Sequence, residues 1–95
     1  MAALDLLGRR WALRVLWELR HGPVGFRDLQ QRCDGMSSSV LRDRLNEFLA
    51  AGVVARVGAD GLYGLSPIGH ELGAAVEPLN DWAERWARVE ARRRA

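Results

Sequence analysis

Apolar residues recur at helical spacing between Ser37 and Gly52 and leave the other side of this segment polar. The apolar positions are Leu41, Leu45, Phe48 and Leu49, and the polar side carries Ser39, Arg42, Asp43, Asn46 and Glu47. Ser37 suits a helix N-cap, and Gly52 suits the left-handed position that ends a helix. The pattern predicts an amphipathic helix with Ser, Arg and Asn early on its polar side, which is the layout of a DNA recognition helix. An ordinary helix of a protein core has the same pattern.

A wider apolar arc precedes this segment, in a helix predicted over about residues 3–20 with an interruption near Gly8. One stripe of the arc consists of Leu4, Leu7, Trp11, Val15, Leu16 and Leu19. Leu13 and Trp17 fall on a second flank, so only a narrow polar strip remains. A small core needs less apolar surface than this, and the arc therefore predicts a second contact besides the one with the domain's own core.

A short helix connects these two segments. The run His21–Pro23 ends the first helix, because glycine and proline both interrupt regular structure. Phe26, Leu29 and Cys33 then share one face of a helix over 26–33, and a turn over 34–36 leads into Ser37. This order predicts a helix-turn-helix over residues 25–52, in which the first helix braces the second.

The pattern changes to a β-hairpin after Gly52. Residues 53–57 and 62–65 form two short apolar runs, and the turn over 58–61 contains glycines that tolerate a positive φ. A hairpin directly behind a helix-turn-helix is a wing. The predicted fold class is therefore mainly α with a small β-hairpin wing, a winged helix-turn-helix.

A last helix is predicted to begin with Ser66 as its cap and Pro67 in its first position. Its apolar side carries Leu72, Val76, Leu79, Trp82, Ala83, Trp86 and Val89. Pro78 lacks a backbone N–H donor, so we expect a kink or a break there. The helix is expected to reach about residue 92 and to fray at the terminal arginines 92–94.

The length of 95 residues predicts one domain over 1–95, divided into segments 1–21, 25–52, 53–66 and 67–92. No apolar run approaches the ~20 residues that cross a bilayer, and no secretory leader opens the chain. We therefore expect a cytoplasmic protein that makes no membrane contact and is associated with the nucleoid when bound to DNA. The single cysteine excludes an intramolecular disulfide and a multi-cysteine zinc site.

The formal net charge is only +2, but all 14 basic residues are arginine. Arginine recognises guanine and phosphate well, although a GC-rich coding bias is the simpler explanation for arginine without lysine. The composition therefore permits nucleic-acid binding without showing it.

Several stretches together carry a family resemblance. They are L-L-G-R-R-W-A-L-R-V-L-W-E-L at 6–19, G-F-R-D-L at 25–29, S-S-S-V-L-R-D-R-L at 37–45, A-G-V-V at 51–54, Y-G-L-S-P-I-G-H-E-L at 63–72 and the helix around Trp82. Each motif is weak alone, but their order and spacing are specific. Over nearly its whole length the chain resembles the HxlR-type winged helix-turn-helix transcriptional regulators.

The resemblance implies a homodimer that binds pseudo-palindromic operator DNA and represses or activates nearby genes. It implies a dimer interface made by the N- and C-terminal helices, with Leu4, Leu7, Leu13, Trp17, Leu79, Trp82, Trp86 and Val89 in it. Three features depart from the family pattern. The sensing cysteine before the first helix is absent, Gly25 stands in place of a basic residue, and the hairpin is short and lacks the Pro-Pro element.

The predicted DNA-binding residues lie on the helix that starts at Ser37 and around it. They are Arg27, Ser37, Ser38, Ser39, Arg42, Asp43, Arg44, Asn46 and Arg56. Arg42 is in the second turn, where it can reach guanine O6 and N7; the alternative is a solvated arginine paired with an acid. Ser38 and Ser39 either bind phosphates while Ser37 caps the helix, or they serve only the cap.

The remaining charged candidates each allow two interpretations. Arg44 matches a recurrent arginine of the family and is preferred as a phosphate contact, the alternative being a brace through an acid such as Asp28. Asp43 accepts a hydrogen bond from a cytosine amine or repels wrong sequences, and Glu47 is a second acid on that side. Arg56 and the turn at 58–61 are the candidates for wing contacts.

Other residues that can carry chemistry are assigned to structure. Cys33 is in an apolar register, which favours a buried side chain over a redox sensor. His21 and His70 lack the spacing of metal ligands, and no cofactor, metal site or catalytic group is predicted. The four tryptophans either line a small-molecule effector pocket between subunits or fill a dimer core.

We therefore expect a homodimeric DNA-binding regulator that is not an enzyme. The alternative is a winged-helix module that binds another protein through its Trp-rich helices. The modest charge and the acids Asp43 and Glu47 support that alternative.

Overall fold

The computed structural model describes residues 2–94, which form five helices and one two-stranded sheet. These are α1 (Ala2–Leu7), α2 (Ala12–Leu19), α3 (Phe26–Arg32), α4 (Ser38–Ala50), β1 (Val54–Val57), β2 (Leu62–Leu65) and α5 (Pro67–Arg94). The mainly α fold class with a small hairpin is confirmed. Met1, the start of the first predicted segment, and Ala95 lie outside the described residues.

The first predicted helix consists of two helices, and the interruption expected near Gly8 is confirmed. The Gly8 N–H donates to the Leu4 carbonyl at 2.8 Å and closes α1. Trp11 then starts α2 with φ 73, a left-handed conformation that is unusual for a bulky residue. Its half-buried ring packs against the core, and this packing helps to hold the unfavourable backbone in place.

The core lies where α2, α3 and α4 meet the hairpin. Its largest fully buried side chains are Leu16, Leu19, Leu29, Leu41, Leu45 and Phe48. Burial of each such side chain stabilises the fold by roughly 1.5–3 kcal/mol. The apolar stripe predicted for α4 is therefore its core-facing side, with Leu49 only half-buried at the edge.

The predicted hairpin is present, in an antiparallel register that pairs Val54 with Leu65 and Val57 with Leu62. Its turn contains Gly58 at φ 73 and Gly61 at φ 64, as the glycine-containing turn predicts. Residues Val24 and Tyr63 exchange two backbone hydrogen bonds of 2.8 and 2.9 Å. This bridge fastens the segment before α3 to the hairpin and was not predicted from the sequence.

The N-terminus of α5 is tied to the end of α4. Ser66 caps α5 by accepting a hydrogen bond from the Gly69 N–H at 3.1 Å, as predicted. Its hydroxyl also lies within hydrogen-bond distance of the Gly52 and Val53 carbonyls. A Cβ at Gly69 would lie 2.1 Å from the Val53 carbonyl oxygen, so only glycine permits this approach.

Of the kink or break expected at Pro78, the break does not occur, because α5 continues through it to Arg94. Proline removes one backbone donor, and the other backbone hydrogen bonds of a 28-residue helix hold the segment together. A bend at Pro78 stays a prediction. The helix ends at Arg94, two residues beyond the predicted end. In its last turn Glu90 lies 3.6 Å from Arg93 and 3.9 Å from Arg94. Within residues 2–94 no helix is long and apolar enough to cross a membrane.

Candidate nucleic-acid interface

The start of α4 has the geometry that its three serines predict. The Ser37 hydroxyl accepts a hydrogen bond from the Val40 N–H at 3.2 Å, which confirms the N-cap. The Ser37 and Ser39 hydroxyls lie 3.3 Å apart, and Ser38 and Ser39 are exposed. Gly52 follows α4 with φ 76, the left-handed conformation expected at its end. The first turn of α4 therefore presents two hydroxyls to solvent beside its free backbone N–H groups.

The outer face of α4 carries the polar residues that the pattern placed there. Arg42, Asp43 and Asn46 are exposed, while Leu41 and Leu45 on the opposite face are buried. The Arg42 guanidinium carbon lies 4.7 Å from the centroid of the Phe26 ring. Among residues 2–94 Arg42 forms no hydrogen bond or ion pair, so its N–H groups are available to a ligand.

Arg44 has a different environment. Its Nη1 donates to the Arg10 carbonyl at 3.2 Å, and its Nε lies 2.7 Å from Glu47 Oε1. The N–H does not point along that line, so we regard the contact as an ion pair rather than an aligned hydrogen bond. Only 14% of the Arg44 side chain is exposed, and its acidic partner is Glu47 instead of the predicted Asp28. Phosphate binding by Arg44 stays a prediction, and it would require the guanidinium to leave both partners.

Glu47 was predicted to face the same side as Arg42, but its carboxylate turns towards the protein. Its Oε2 lies 3.7 Å from the Nε of Arg9 in the turn between α1 and α2. Two arginines therefore offset its charge, because Arg44 pairs with its other oxygen. Asp43 is exposed and forms no ion pair within the described part of the chain. On α4 itself the unpaired negative charge is therefore that of Asp43.

Arg56, the wing candidate, is bound to its own hairpin. It donates from Nε to the Gly61 carbonyl at 2.7 Å and from Nη1 to the Tyr63 hydroxyl at 3.0 Å. Its guanidinium carbon lies 4.3 Å from the Tyr63 ring centroid. Arg56 remains exposed, as does Arg27 on α3. The structure therefore assigns Arg56 a clear role in holding the turn, and a phosphate contact stays a prediction.

A second surface lies away from α4 and consists of apolar side chains of α1, α2 and α5. On α5 the side chains of Leu79, Trp82, Trp86 and Val89 are about half exposed. On the N-terminal helices Leu4 is 64% exposed and Leu13 is 37% exposed. The Trp82 and Trp86 rings stack with centroids 6.1 Å apart. A groove of about 380 Å³ joins α1 and α2 to α5, lined by Leu4, Leu7, Leu13, Leu72, Val76 and Leu79.

Trp17 differs from the other members of this surface. Its ring is half-buried, and the Arg20 guanidinium carbon lies 3.4 Å from the ring centroid. Trp17 also lines a second groove of about 390 Å³ together with Arg14, Leu13 and Asn80. The two predicted flanks of the first helical segment therefore face different surroundings. Val15 and Leu16 are fully buried in the core, whereas Leu13 and Trp17 line this groove.

The side chains with redox or ligand chemistry do not gather into a site. Cys33 is fully buried, and burial raises the pKa of its thiol. His21 and His70 are exposed. Within residues 2–94 there is no group of three His, Cys, Asp or Glu side chains that could hold a metal ion.

The helix-turn-helix, the hairpin behind it and the exposed face of α4 together define a winged helix-turn-helix protein. The family model for HxlR-like helix-turn-helix proteins matches residues 6–91. The chain belongs to this family, which confirms the resemblance drawn from its motifs. It is a transcriptional regulator of the winged helix-turn-helix type, and the family implies DNA binding.

Three relatives illustrate the similarity. The chain is 29% identical over 91 residues to the HTH-type transcriptional regulator YvaP of Bacillus subtilis (strain 168), covering 88% of this chain and 82% of YvaP. The structure of quinone-bound YodB from B. subtilis matches with a TM-score of 0.79 and 28% identity, covering 88% of this chain and 93% of YodB. A structure from Thermoplasma volcanium GSS1, described as a possible HxlR family transcriptional factor, matches with a TM-score of 0.83 and 25% identity. The match covers 90% of this chain and 81% of that chain.

Proposed function

We propose that two copies of this chain form a homodimer that binds a pseudo-palindromic operator and regulates transcription there. The observation that carries this proposal is the exposed face of α4, where Arg42 projects from a helix whose opposite side is fixed in the core. The two α4 helices of a dimer would enter successive major grooves about 34 Å apart on one side of the DNA.

The dimer is supported by the apolar surface on α5. The buried residues of α5 stop at Val76, so residues 77–94 continue beyond the core of the single chain. That stretch carries Leu79, Trp82, Trp86 and Val89 about half exposed. Contiguous exposed apolar surface of this kind marks an association site. A second copy would cover it, and the groove between α1, α2 and α5 would receive part of the partner.

Each residue of the DNA surface has a distinct role in this proposal. Arg42 donates two hydrogen bonds to guanine, the commonest specific contact in the major groove. Ser38 and Ser39 bind phosphates at the start of α4, where the backbone N–H groups also favour an anion. Asp43 accepts from a cytosine amine or disfavours other bases. Asn46, Arg27, Arg56 and Arg44 complete the predicted set, the arginines through phosphates.

An effector bound between the subunits is a further part of the proposal. A quinone-bound structure exists for YodB, and in this chain the groove beside Trp17 combines aromatic and polar side chains. Because Cys33 is buried in the core, an effector of this chain would bind without forming a bond to a thiol.

DNA binding is tested with the purified protein and a duplex from its own promoter region, at two salt concentrations and with random duplex as competitor. We expect Arg42→Ala to weaken binding to the promoter duplex by about 5- to 150-fold for each half-site, because a bidentate arginine–guanine pair is worth roughly 1–3 kcal/mol and the dimer loses two of them. Arg42→Lys, which keeps the charge but loses the fork of donors, should also weaken it.

Arg88→Ala is the matched control, because Arg88 is exposed on α5 and lies far along the chain from α4. It should bind the promoter duplex like the wild type. Wild-type binding that is weak, equal on random duplex and unchanged in Arg42→Ala would refute the regulator proposal. That result would favour the alternative, a module that binds another protein through the Trp82–Trp86 surface.

A further inference from the structure

We propose that Phe26 is a positioning residue for Arg42, whose guanidinium it holds at the surface of α4 before DNA arrives. The inference rests on the proposed function, because it takes Arg42 as the residue that reads a base. It concerns a residue that the sequence pattern assigns only to the apolar side of α3.

The geometry joins the two helices of the helix-turn-helix. Phe26 is the first residue of α3, and its half-buried ring packs against the core, which fixes the ring. Arg42 lies on the exposed face of α4, and its guanidinium carbon is 4.7 Å from the ring centroid. This is within the ~6 Å at which a guanidinium is attracted to the face of an aromatic ring.

A comparison with the other arginines near α4 shows why this contact suits base recognition. Arg44 uses its N–H groups on the Arg10 carbonyl and on Glu47. Arg56 uses its own on Gly61 and Tyr63. The contact of Arg42 with Phe26 involves no hydrogen-bond acceptor, so its N–H donors stay unpaired within residues 2–94. Arg42 is therefore restrained without its hydrogen-bonding capacity being used up.

Restraint before binding improves affinity for the correct site. An exposed arginine loses side-chain rotamer freedom when it is fixed against a base, and a residue that is already restrained loses less. A cation–π contact at an exposed position corresponds to about a two- to five-fold change in an equilibrium constant. We expect this factor to appear in binding to the operator, where Arg42 meets a base, and not in binding to random duplex.

The experiment is a double-mutant cycle measured by fluorescence anisotropy on the promoter duplex and on random duplex. The proteins are wild type, Phe26→Leu, Arg42→Ala and the double variant, each confirmed to be folded by thermal unfolding. Phe26→Leu should weaken promoter binding in the wild-type background by about two- to five-fold for each of the two half-sites. It should cause no further loss in the Arg42→Ala background, because the partner of the ring is then missing.

Two further variants separate positioning from folding. Phe26→Tyr keeps the aromatic face and should bind like the wild type. Phe26→Met keeps an apolar side chain of similar length without a face, and it replaces Phe26→Leu if that variant does not fold. A purely structural role would reduce binding equally in both Arg42 backgrounds and on both duplexes, which overturns the inference.

The failure of this inference differs from the failure of the proposed function. If Arg42→Ala weakens promoter binding but Phe26→Leu and Phe26→Met do not, Phe26 does not position Arg42 and the regulator proposal stands. If Arg42→Ala changes nothing, the inference is overturned. The regulator proposal is overturned with it only if wild-type binding is also weak and equal on random duplex.

Discussion

Cys33 illustrates how burial sets the chemistry of a single residue. Its side chain is fully buried on the apolar side of α3, as its register with Phe26 and Leu29 predicts. Burial raises the pKa of the Cys33 thiol, because the thiolate would lose its hydration; Arg14 opposes this effect. The unfolded thiol therefore ionises at a lower pH than the native one. The contribution of Cys33 to stability is complete below about pH 8.5 and is lost as the pH rises above it.

We expect native Cys33 to react slowly with a chromogenic disulfide reagent, even at pH 9. The thiolate is the reactive form, and in the native protein it forms only at a higher pH or after local opening. Labelling in denaturant should be rapid and should give one thiol per chain, which provides the reference. Fast labelling of the native protein would show that the thiol is accessible and would reopen a sensing role for Cys33.

At the scale of elements, α4 is held by a charged connection as well as by its buried leucines. Arg44 and Glu47 lie one turn apart on α4 and reach the turn between α1 and α2 through Arg10 and Arg9. This turn contains the left-handed Trp11, so its backbone depends on its surroundings. The connection therefore links α4 to the helices of the proposed dimer interface.

We expect Glu47→Gln to lower the free energy of unfolding by about 1–2 kcal/mol. An exposed ion pair contributes up to ~1 kcal/mol, and leaving a buried charge unpaired costs more. The expected value lies between the two because the side chains of Arg44 and Glu47 are both partly exposed. Urea unfolding at low and high salt measures it. Glu71→Gln, an exposed acid on α5, is the control and should change stability by less than about 0.5 kcal/mol. Equal effects of the two substitutions would show that the connection contributes nothing.

The molecule as a whole is elongated because α5 extends beyond the core. Its principal extents are 51 × 27 × 23 Å, and a 28-residue helix alone is about 42 Å long. The stacked Trp82 and Trp86 lie on the part of α5 that follows the last buried residue, Val76. A surface that covers the exposed tryptophans would stabilise this end of the helix, because most helix stability comes from packing of an apolar face.

We expect Trp86→Glu to raise the dissociation constant of the dimer by about 30-fold or more. Buried interface tryptophans commonly contribute ~2 kcal/mol or more, and a carboxylate in their place would lack a partner. Sedimentation equilibrium measures the change, and circular dichroism confirms that the helices are retained. Arg88→Ala should leave the dimer intact. Arg88 follows Leu79 by nine residues, which is two and a half helical turns, so it lies on the side of α5 opposite Leu79. A wild-type chain that stays monomeric at high concentration would contradict the proposed dimer.

Much of the fold follows from patterns within a few residues of each other. The cap at Ser37, the left-handed Gly52, the glycine-containing turn of the hairpin and the cap at Ser66 all appear as predicted. Of the kink or break expected at Pro78, the break does not occur, because a local rule counts one lost hydrogen bond and omits the continuity of a long helix. The candidate site was predicted as polar residues of the segment from Ser37 together with Arg27 and Arg56, but the observed partners of Arg44 and Arg56 were not predicted.

The sequence by itself determined which side of α4 faces the core and where α4 and α5 begin, because the period of a helix and the needs of caps and turns act locally. Only the tertiary structure decided what each arginine does. Arg42 meets a ring sixteen residues earlier in the chain, and Arg44 meets a carbonyl thirty-four residues earlier. Such contacts depend on how the helices pack in space, and no local pattern records that packing. Two arginines only two positions apart on α4 therefore have different environments: one is free to bind a ligand, and the other is bound within the protein.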